Sequence, residues 1–317
     1  MTPADQGAAA SRPRAITVEA PTVTLAGLDY GNPGARPMVF LHGLTDLAWS
    51  LHPVAEAFAE RYHVVSLDLR GHGDSTHPGR YTVPHFVADL RFAVSALDLV
   101  RPILFGHSMG AFVTSAFAGL WPDEVAALIM VEGLGSPLRI GETDPAGRRA
   151  IAGALIESLN GEPRRVRMAD IDVARQRLRA AHPGLTADRI AELAARGTRA
   201  DPDGGLFWKW DPAVREWFAV FDRARHEEWW GGIRSPTLAI SAAHAWDRWW
   251  LPTAPARPGP DFAGPVDLDE QARRLALIAG VEHHVVDAGH MVHFDAPGEV
   301  IDLTRRFLDH HLPSLAD

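Results

Sequence analysis

From residue 16 onward the chain alternates short apolar runs with amphipathic stretches. Ile16 to Glu19 and Thr22 to Leu28 alternate apolar and polar positions about Ala20-Pro21, which predicts a β-hairpin. Gly31 to Pro37 reads as a turn. Four short apolar runs follow, Met38 to Leu41, Val64 to Leu67, Ile103 to Phe105 and Leu128 to Val131. Between them lie Trp49 to Arg61, Pro84 to Val100 and Ala111 to Leu120, each with apolar residues at three- and four-residue spacing. Strand and helix in alternation predict a parallel sheet with crossover helices.

The alternation stops near Gly135. From Asp144 to about Trp230 the pattern predicts no strand, only Arg- and Ala-rich helical stretches broken at Gly161, Pro183, Gly197 and Gly204-Gly205. Strands resume at Thr237 to Ser241 and Val281 to Val286, and a helix from Pro297 to His311 follows. The expected organisation is a flexible tail (1–14), a sheet-bearing core (15–134 and 232–317) and a helical cap (135–231).

Composition narrows the function classes. With 317 residues, 46% hydrophobic and 22% charged, the chain is globular in character. Its longest apolar run, Val125 to Val131, falls far short of the about twenty residues that span a bilayer, so no membrane partner is expected. The segment before Arg14 offers only Ala8 to Ala10 as an apolar cluster, so no secretory signal is expected and the cytoplasm is the default compartment. Cysteine is absent, which removes disulfides, thiolate metal sites and cysteine nucleophiles together. A formal charge of −9 argues against a nucleic-acid partner, whose phosphates would demand a basic stripe.

The candidate chemistry starts at Gly106-His107-Ser108-Met109-Gly110. This Gly-x-Ser-x-Gly sequence directly follows one predicted strand and directly precedes a predicted helix, the setting of a nucleophile elbow. A serine hydroxyl needs a base, and the base an orienting acid. His290, just after the strand Val281 to Val286, is the base candidate; its loop emerges at the same carboxyl edge of the sheet as Ser108. His293 competes for that role, and His283, His284, His290 and His293 together are a weaker metal alternative. His42-Gly43-Leu44, directly after another strand, is placed to offer the backbone N–H of Leu44 opposite that of Met109 as an oxyanion hole. His42 itself reads as a structural residue of the turn.

His42-Gly43, Asp68-Leu-Arg-Gly-His-Gly-Asp-Ser75, Gly106 to Gly110 and Gly289-His290 resemble, in order and spacing, the α/β-hydrolase family from about Thr22 to His311. The resemblance implies an α/β-hydrolase fold: a mostly parallel eight-stranded sheet, helices on both faces, and a helical cap inserted after the sixth strand. It implies a serine hydrolase and assigns the Asp68 to Ser75 segment a structural role. Relatives with an aspartate nucleophile, the epoxide hydrolases and haloalkane dehalogenases, are excluded by Ser108. The acid departs from the common family pattern, since Ala245 stands where the aspartate after the seventh strand is expected. Glu132, at the end of the sixth strand beside Gly133, is the favoured acid and Asp247 the alternative. Ser108, His290 and Glu132 in this arrangement resemble the triad of the zearalenone lactonases, cofactor-free enzymes that open a resorcylic macrolactone. Val131 to Gly135 and Asp203 to Pro212 are also similar to the broader serine-hydrolase-like group.

Eight of the ten tryptophans lie between Trp208 and Trp250. Large flat rings so clustered suggest a pocket for a bulky hydrophobic or aromatic substrate, with Gly43, Trp208, Trp210, Trp217 and Trp246 as binding candidates, or else cap packing and an oligomer interface. The proline-rich stretch Pro252 to Pro265 fits a pocket wall or an assembly arm equally. The expected function is hydrolysis of a carboxylic ester or lactone without metal or cofactor. Carbon–carbon bond hydrolysis or perhydrolysis on the same triad, and a ligand receptor with little turnover, are the alternatives.

Overall fold

The computed structural model describes residues 13–135, 149, 165–215, 217, 222–245 and 268–312. Among these, β1 (Arg14–Ala20) and β2 (Val23–Asp29) form the expected antiparallel hairpin. The strands β3 (Pro37–Leu41), β4 (His63–Leu67), β5 (Ile103–His107), β6 (Ala127–Val131), β9 (Thr237–Ala242) and β10 (Glu282–Val286) join it in one sheet. That sheet has eight strands in the order β1-β2-β4-β3-β5-β6-β9-β10. The pairings from β4 to β10 are parallel, and only β1 and β2 run antiparallel to their neighbours.

Burial explains the sheet. Every residue of β5, β6 and β9 is buried, as expected of parallel strands covered on both faces. Side chains alternate between two cores. Val39, Leu41, Leu104, Leu128 and Met130 pack with Phe86 and Leu90 of α2 (Val83–Ala96) and Val113 and Phe117 of α3 (Met109–Leu120). Met38, Phe40, Ile103, Phe105 and Ile129 pack on the other face with Val54 of α1 (His52–Glu56) and Val300, Leu303 and Phe307 of α9 (Pro297–His311). Burying each such side chain contributes about 1.5–3 kcal/mol.

Between β6 and β9 the chain carries α4 (Ile171–Ala181), α5 (Ala187–Gly197) and α6 (Arg223–Trp230). The insertion is not wholly helical, contrary to the sequence expectation: β7 (Thr198–Ala200) and β8 (Leu206–Trp208) form a small antiparallel hairpin. Three-residue strands are too short to show a period of two, so Gly204-Gly205 read as a helix break when it lies within the turn joining them. Two short helices, α7 (Leu268–Leu275) and α8 (Val292–Asp295), complete the described elements. The helix expected over Trp49 to Arg61 is shorter than its pattern, a 3-10 turn at Ala48–Leu51 leading into α1, which ends at Glu56. Among the described residues no helix is long and apolar enough to cross a membrane. Most of the expected tail, residues 136–148 and 150–164 of the expected cap, and the proline-rich stretch lie outside the described residues.

Candidate active site

The sheet order turns back between β3 and β5: the chain passes from β3 to β4 on one side, then returns across β3 to β5 on the other. At such a switch point the loops leaving the carboxyl ends part and open a crevice. His42 to Leu44 leave β3 there and Ser108 leaves β5.

Ser108 sits at φ 50, ψ −117, a backbone conformation that few non-glycine residues adopt, as the single residue between β5 and α3. The flanking glycines make the turn sterically feasible. A Cβ on Gly106 would lie 2.5 Å from the backbone of Ala111, and one on Gly110 would lie 2.2 Å from the carbonyl oxygen of Leu41. Glu132, the first residue past β6, also has positive φ, 54°. Its N–H donates to the Ile240 carbonyl (2.8 Å), which fixes the strand end from which the side chain departs.

These residues meet His290. Ser108 Oγ lies 2.9 Å from His290 Nε2, and His290 Nδ1 lies 2.9 Å from Glu132 Oε2. The other carboxylate oxygen, Oε1, accepts from the Ala242 backbone N–H at 2.6 Å. Glu132 and His290 are each only 9% exposed, so the pair is shielded from bulk water. With a carboxylate on Nδ1, that nitrogen carries the proton of the neutral ring, and Nε2 is left with its lone pair toward the serine. Asp247, the alternative acid, lies outside the described residues, as does Trp246.

The loop after β3 lies against the elbow: a Cβ on Gly43 would sit 3.3 Å from that of Ser108. Leu44 is the next residue along that loop. Met109 supplies the first N–H of α3, one of the terminal donors that no helical carbonyl can reach. His42 is buried in the turn. Its Nδ1 donates to the Gly43 carbonyl (2.7 Å) and its Nε2 accepts from the Leu69 N–H (3.0 Å), and burial pushes its pKa down to about 4. The Asp68 to Ser75 segment braces the same loop. Asp68 accepts from the N–H groups of Ala48 (2.7 Å) and Asp74 (2.9 Å), while His72 Nε2 accepts from the Thr45 N–H (3.1 Å).

A partly open pocket lies beside this loop, and neither Ser108 nor His290 is among the residues that line it. Its lining includes Thr45, Asp46 and Leu47 from the loop, Leu178 of α4, Leu193 of α5, Trp208, Lys209, Trp210, and Phe294 from the segment that follows His290. Trp208 and Trp210 thus lie on a cavity wall. Trp217 is instead packed edge-on against Phe86 of α2 (5.5 Å). The insertion is tied to the core through the segment that follows β8. Lys209 Nζ lies 2.7 Å from Asp74, the Asp211 N–H donates to the Gly71 carbonyl (2.8 Å), and Tyr81 donates to the Asp211 carboxylate (2.5 Å).

The four histidines considered as a metal set do not come together. His283 pairs with Ser241 (3.0 Å), His284 is exposed, and His290 joins Ser108 and Glu132. His293 is buried on α8, stacked edge-on against His107 at 4.4 Å. Sequence reasoning missed His107, the variable position of the elbow motif. It is buried, and its Nε2 donates to the backbone carbonyl of His290 at 2.9 Å, fixing the height of the base. The signal was available, since a bulky imidazole at the end of a fully buried strand must find a polar partner. Asp46 was missed too. Burial raises its pKa to about 7 despite a 2.6 Å hydrogen bond from Ser50.

Residues 36–155 match a family model described as the alpha/beta hydrolase fold. The chain is 28% identical over 191 residues to a serine hydrolase-like protein of Danio rerio, covering 59% of this chain and 58% of that protein. It is 32% identical over 151 residues to the serine hydrolase-like protein of Homo sapiens, covering 45% of this chain and 73% of the relative. A match to the sn-1-specific diacylglycerol lipase ABHD11 of Danio rerio is 33% identical and covers 33% of that relative. The chain therefore spans less than two thirds of the length of several curated relatives. Among solved structures, the thioesterase domain from the curacin biosynthetic pathway superposes with a TM-score of 0.74 at 24% identity, over 94% of this chain and 100% of that one. At that identity the likeness shows the fold.

Proposed function

The chain belongs to the α/β-hydrolase family, and from that premise we propose that it is a serine hydrolase cleaving a carboxylic ester or lactone of a bulky hydrophobic or aromatic substrate through an acyl-enzyme. The observation that carries the proposal is the unbroken relay from Ser108 through His290 to Glu132, two hydrogen bonds of 2.9 Å each. Ser108 attacks the carbonyl carbon while His290 Nε2 takes its proton, and Glu132 stabilises the imidazolium that forms. The N–H groups of Leu44 and Met109 receive the developing oxyanion, each such donor contributing about 3–4 kcal/mol of barrier lowering. His290 then protonates the leaving alkoxide and activates water to release the acid. Nucleophile, base and backbone dipoles suffice for these steps, so the scheme needs no metal or cofactor.

Two features support an apolar substrate: Trp208 and Trp210 on the pocket wall, and the leucines of α4 and α5 facing them. A resorcylic macrolactone is the specific substrate proposed, from the resemblance carried by Glu132 at the end of the sixth strand. The test is turnover on a panel of aryl esters and macrolactones by the wild-type chain and Ser108→Ala. We expect hydrolysis of at least one ester or lactone by the wild type and none above background by the variant. Turnover unaffected by the substitution would overturn the serine assignment. Activity confined to carbon–carbon bond cleavage or perhydrolysis would keep the triad and replace the substrate class.

A further inference from the structure

Behind the triad lies a second cluster of titratable groups that the proposed reaction does not use. Asp46, His107 and His293 each offer one ligand atom, and the three atoms lie within 4.8 Å of one another. Both imidazoles are 1% exposed, and His293 Nε2 is 3.8 Å from Asp46 Oδ2. Neither nitrogen of His293 and not Nδ1 of His107 has a hydrogen-bond partner. Three partnerless buried nitrogens in one place are costly, because each leaves its desolvation unrequited.

The tautomer of His107 follows from its neighbour. A carbonyl oxygen only accepts, so the hydrogen bond to the His290 carbonyl puts the ring proton on Nε2 and leaves Nδ1 a bare lone pair. A lone pair, an unpartnered imidazole and a carboxylate make the borderline nitrogen and oxygen donor set that suits divalent transition metals rather than Mg²⁺ or Ca²⁺. Tetrahedral zinc at about 2.0–2.1 Å holds its ligands roughly 3.3–3.5 Å apart, so modest side-chain rotation would close the cluster. Asp46 also lines the pocket, so the cluster adjoins space open to solvent on the side of that carboxylate.

We propose that Asp46, His107 and His293 form a binding site for a divalent transition metal of the zinc type. The three residues come from the loop after β3, the end of β5 and the segment after His290, which carry the proposed oxyanion donor, nucleophile and base. A metal there would cross-link those three loops beneath the active site without touching the scissile bond.

The experiment is calorimetric titration of tag-free, chelator-treated full-length chain with ZnCl₂, with CoCl₂ absorption as a coordination probe and MgCl₂ as a control. We expect one equivalent of zinc bound at micromolar affinity or tighter, a tetrahedral-type cobalt spectrum, a raised thermal midpoint, and no response to magnesium. His293→Gln and Asp46→Asn should each weaken binding at least tenfold, with folding checked by near-ultraviolet circular dichroism. Asp46→Asn, at the pocket wall, serves where the buried His293 variant fails to fold. Absence of a stoichiometric wild-type site would overturn the proposal and leave these nitrogens to ordered water. So would an equivalent retained in a folded variant, which would locate the metal on surface imidazoles such as His310 and His311.

Discussion

Ser108 and Glu132 share an unusual property, positive φ at a non-glycine residue directly after a buried strand. Such conformations cost on the order of 1–3 kcal/mol each and persist where the surroundings over-determine them. Here the Val131 carbonyl holds the Ser108 N–H (2.9 Å), and the Ile240 carbonyl holds that of Glu132. Glu132 is doubly engaged, to His290 through Oε2 and to the Ala242 N–H through Oε1. Glu132→Gln keeps the shape but can turn an amide N–H toward Nδ1 and favour the wrong tautomer. We expect kcat on the best ester to fall by a factor on the order of 10³–10⁴ with stability little changed. The elbow serine and the base were legible in the sequence because each lies just past a predicted strand, at the same edge of the sheet. Glu132 was legible from its place at a strand end. Asp46 and His293 were not legible as a pair, because only the fold brings together positions so far apart in the chain.

At the scale of elements, the elbow works because three pieces of backbone approach more closely than any side chain permits. Gly110 packs under the Leu41 and His42 carbonyls at the end of β3, so α3 enters its helix against the loop that holds Leu44. Gly110→Ala must push β3 and α3 apart. We expect it to lower unfolding free energy by at least about 1–3 kcal/mol, read from a urea midpoint, and to depress kcat as the loop moves off Ser108. Unchanged stability and rate would mean that the backbones of α3 and the β3 loop have room for the added methyl group. The central parallel strands β3, β5 and β6 were plain in the sequence, since buried strands read as short apolar runs. The β7–β8 hairpin was not, since three residues leave no periodicity. The segment after it is anchored to the core by the contacts of Lys209 and Asp211 with the Gly71 to Asp74 segment.

Across the whole molecule, histidine burial sets the acid limit. His42, His72, His107, His226 and His293 are all at most 1% exposed. Burial pushes His42 down to about 4 and His107 and His226 to about 3, and holds His72 and His293 well below the ordinary value of 6.5. A depressed imidazole pKa means that the folded state binds fewer protons than the unfolded one. The stability from these groups is therefore complete above pH 6.5 and is lost as pH falls below it, by about 2 kcal/mol at pH 5 for each of His42, His107 and His226. Asp46 and Asp68, raised by burial to about 7 and about 6, act in the opposite sense and gain stability as the pH falls through those values. Five sites against two leave a net loss. The urea midpoint, measured with chelator present, should fall steadily from pH 7 to pH 5; a flat or rising midpoint would show that these rings are not buried neutral.

The proposed reaction turns on one serine made nucleophilic by an imidazole that Glu132 orients. Its most direct test is the rate and position of labelling by a fluorophosphonate, read by peptide mass spectrometry on the wild-type chain and Glu132→Gln. A single adduct on Ser108 is expected, formed orders of magnitude more slowly in the variant. Labelling at another residue, or at the wild-type rate in Glu132→Gln, would contradict it.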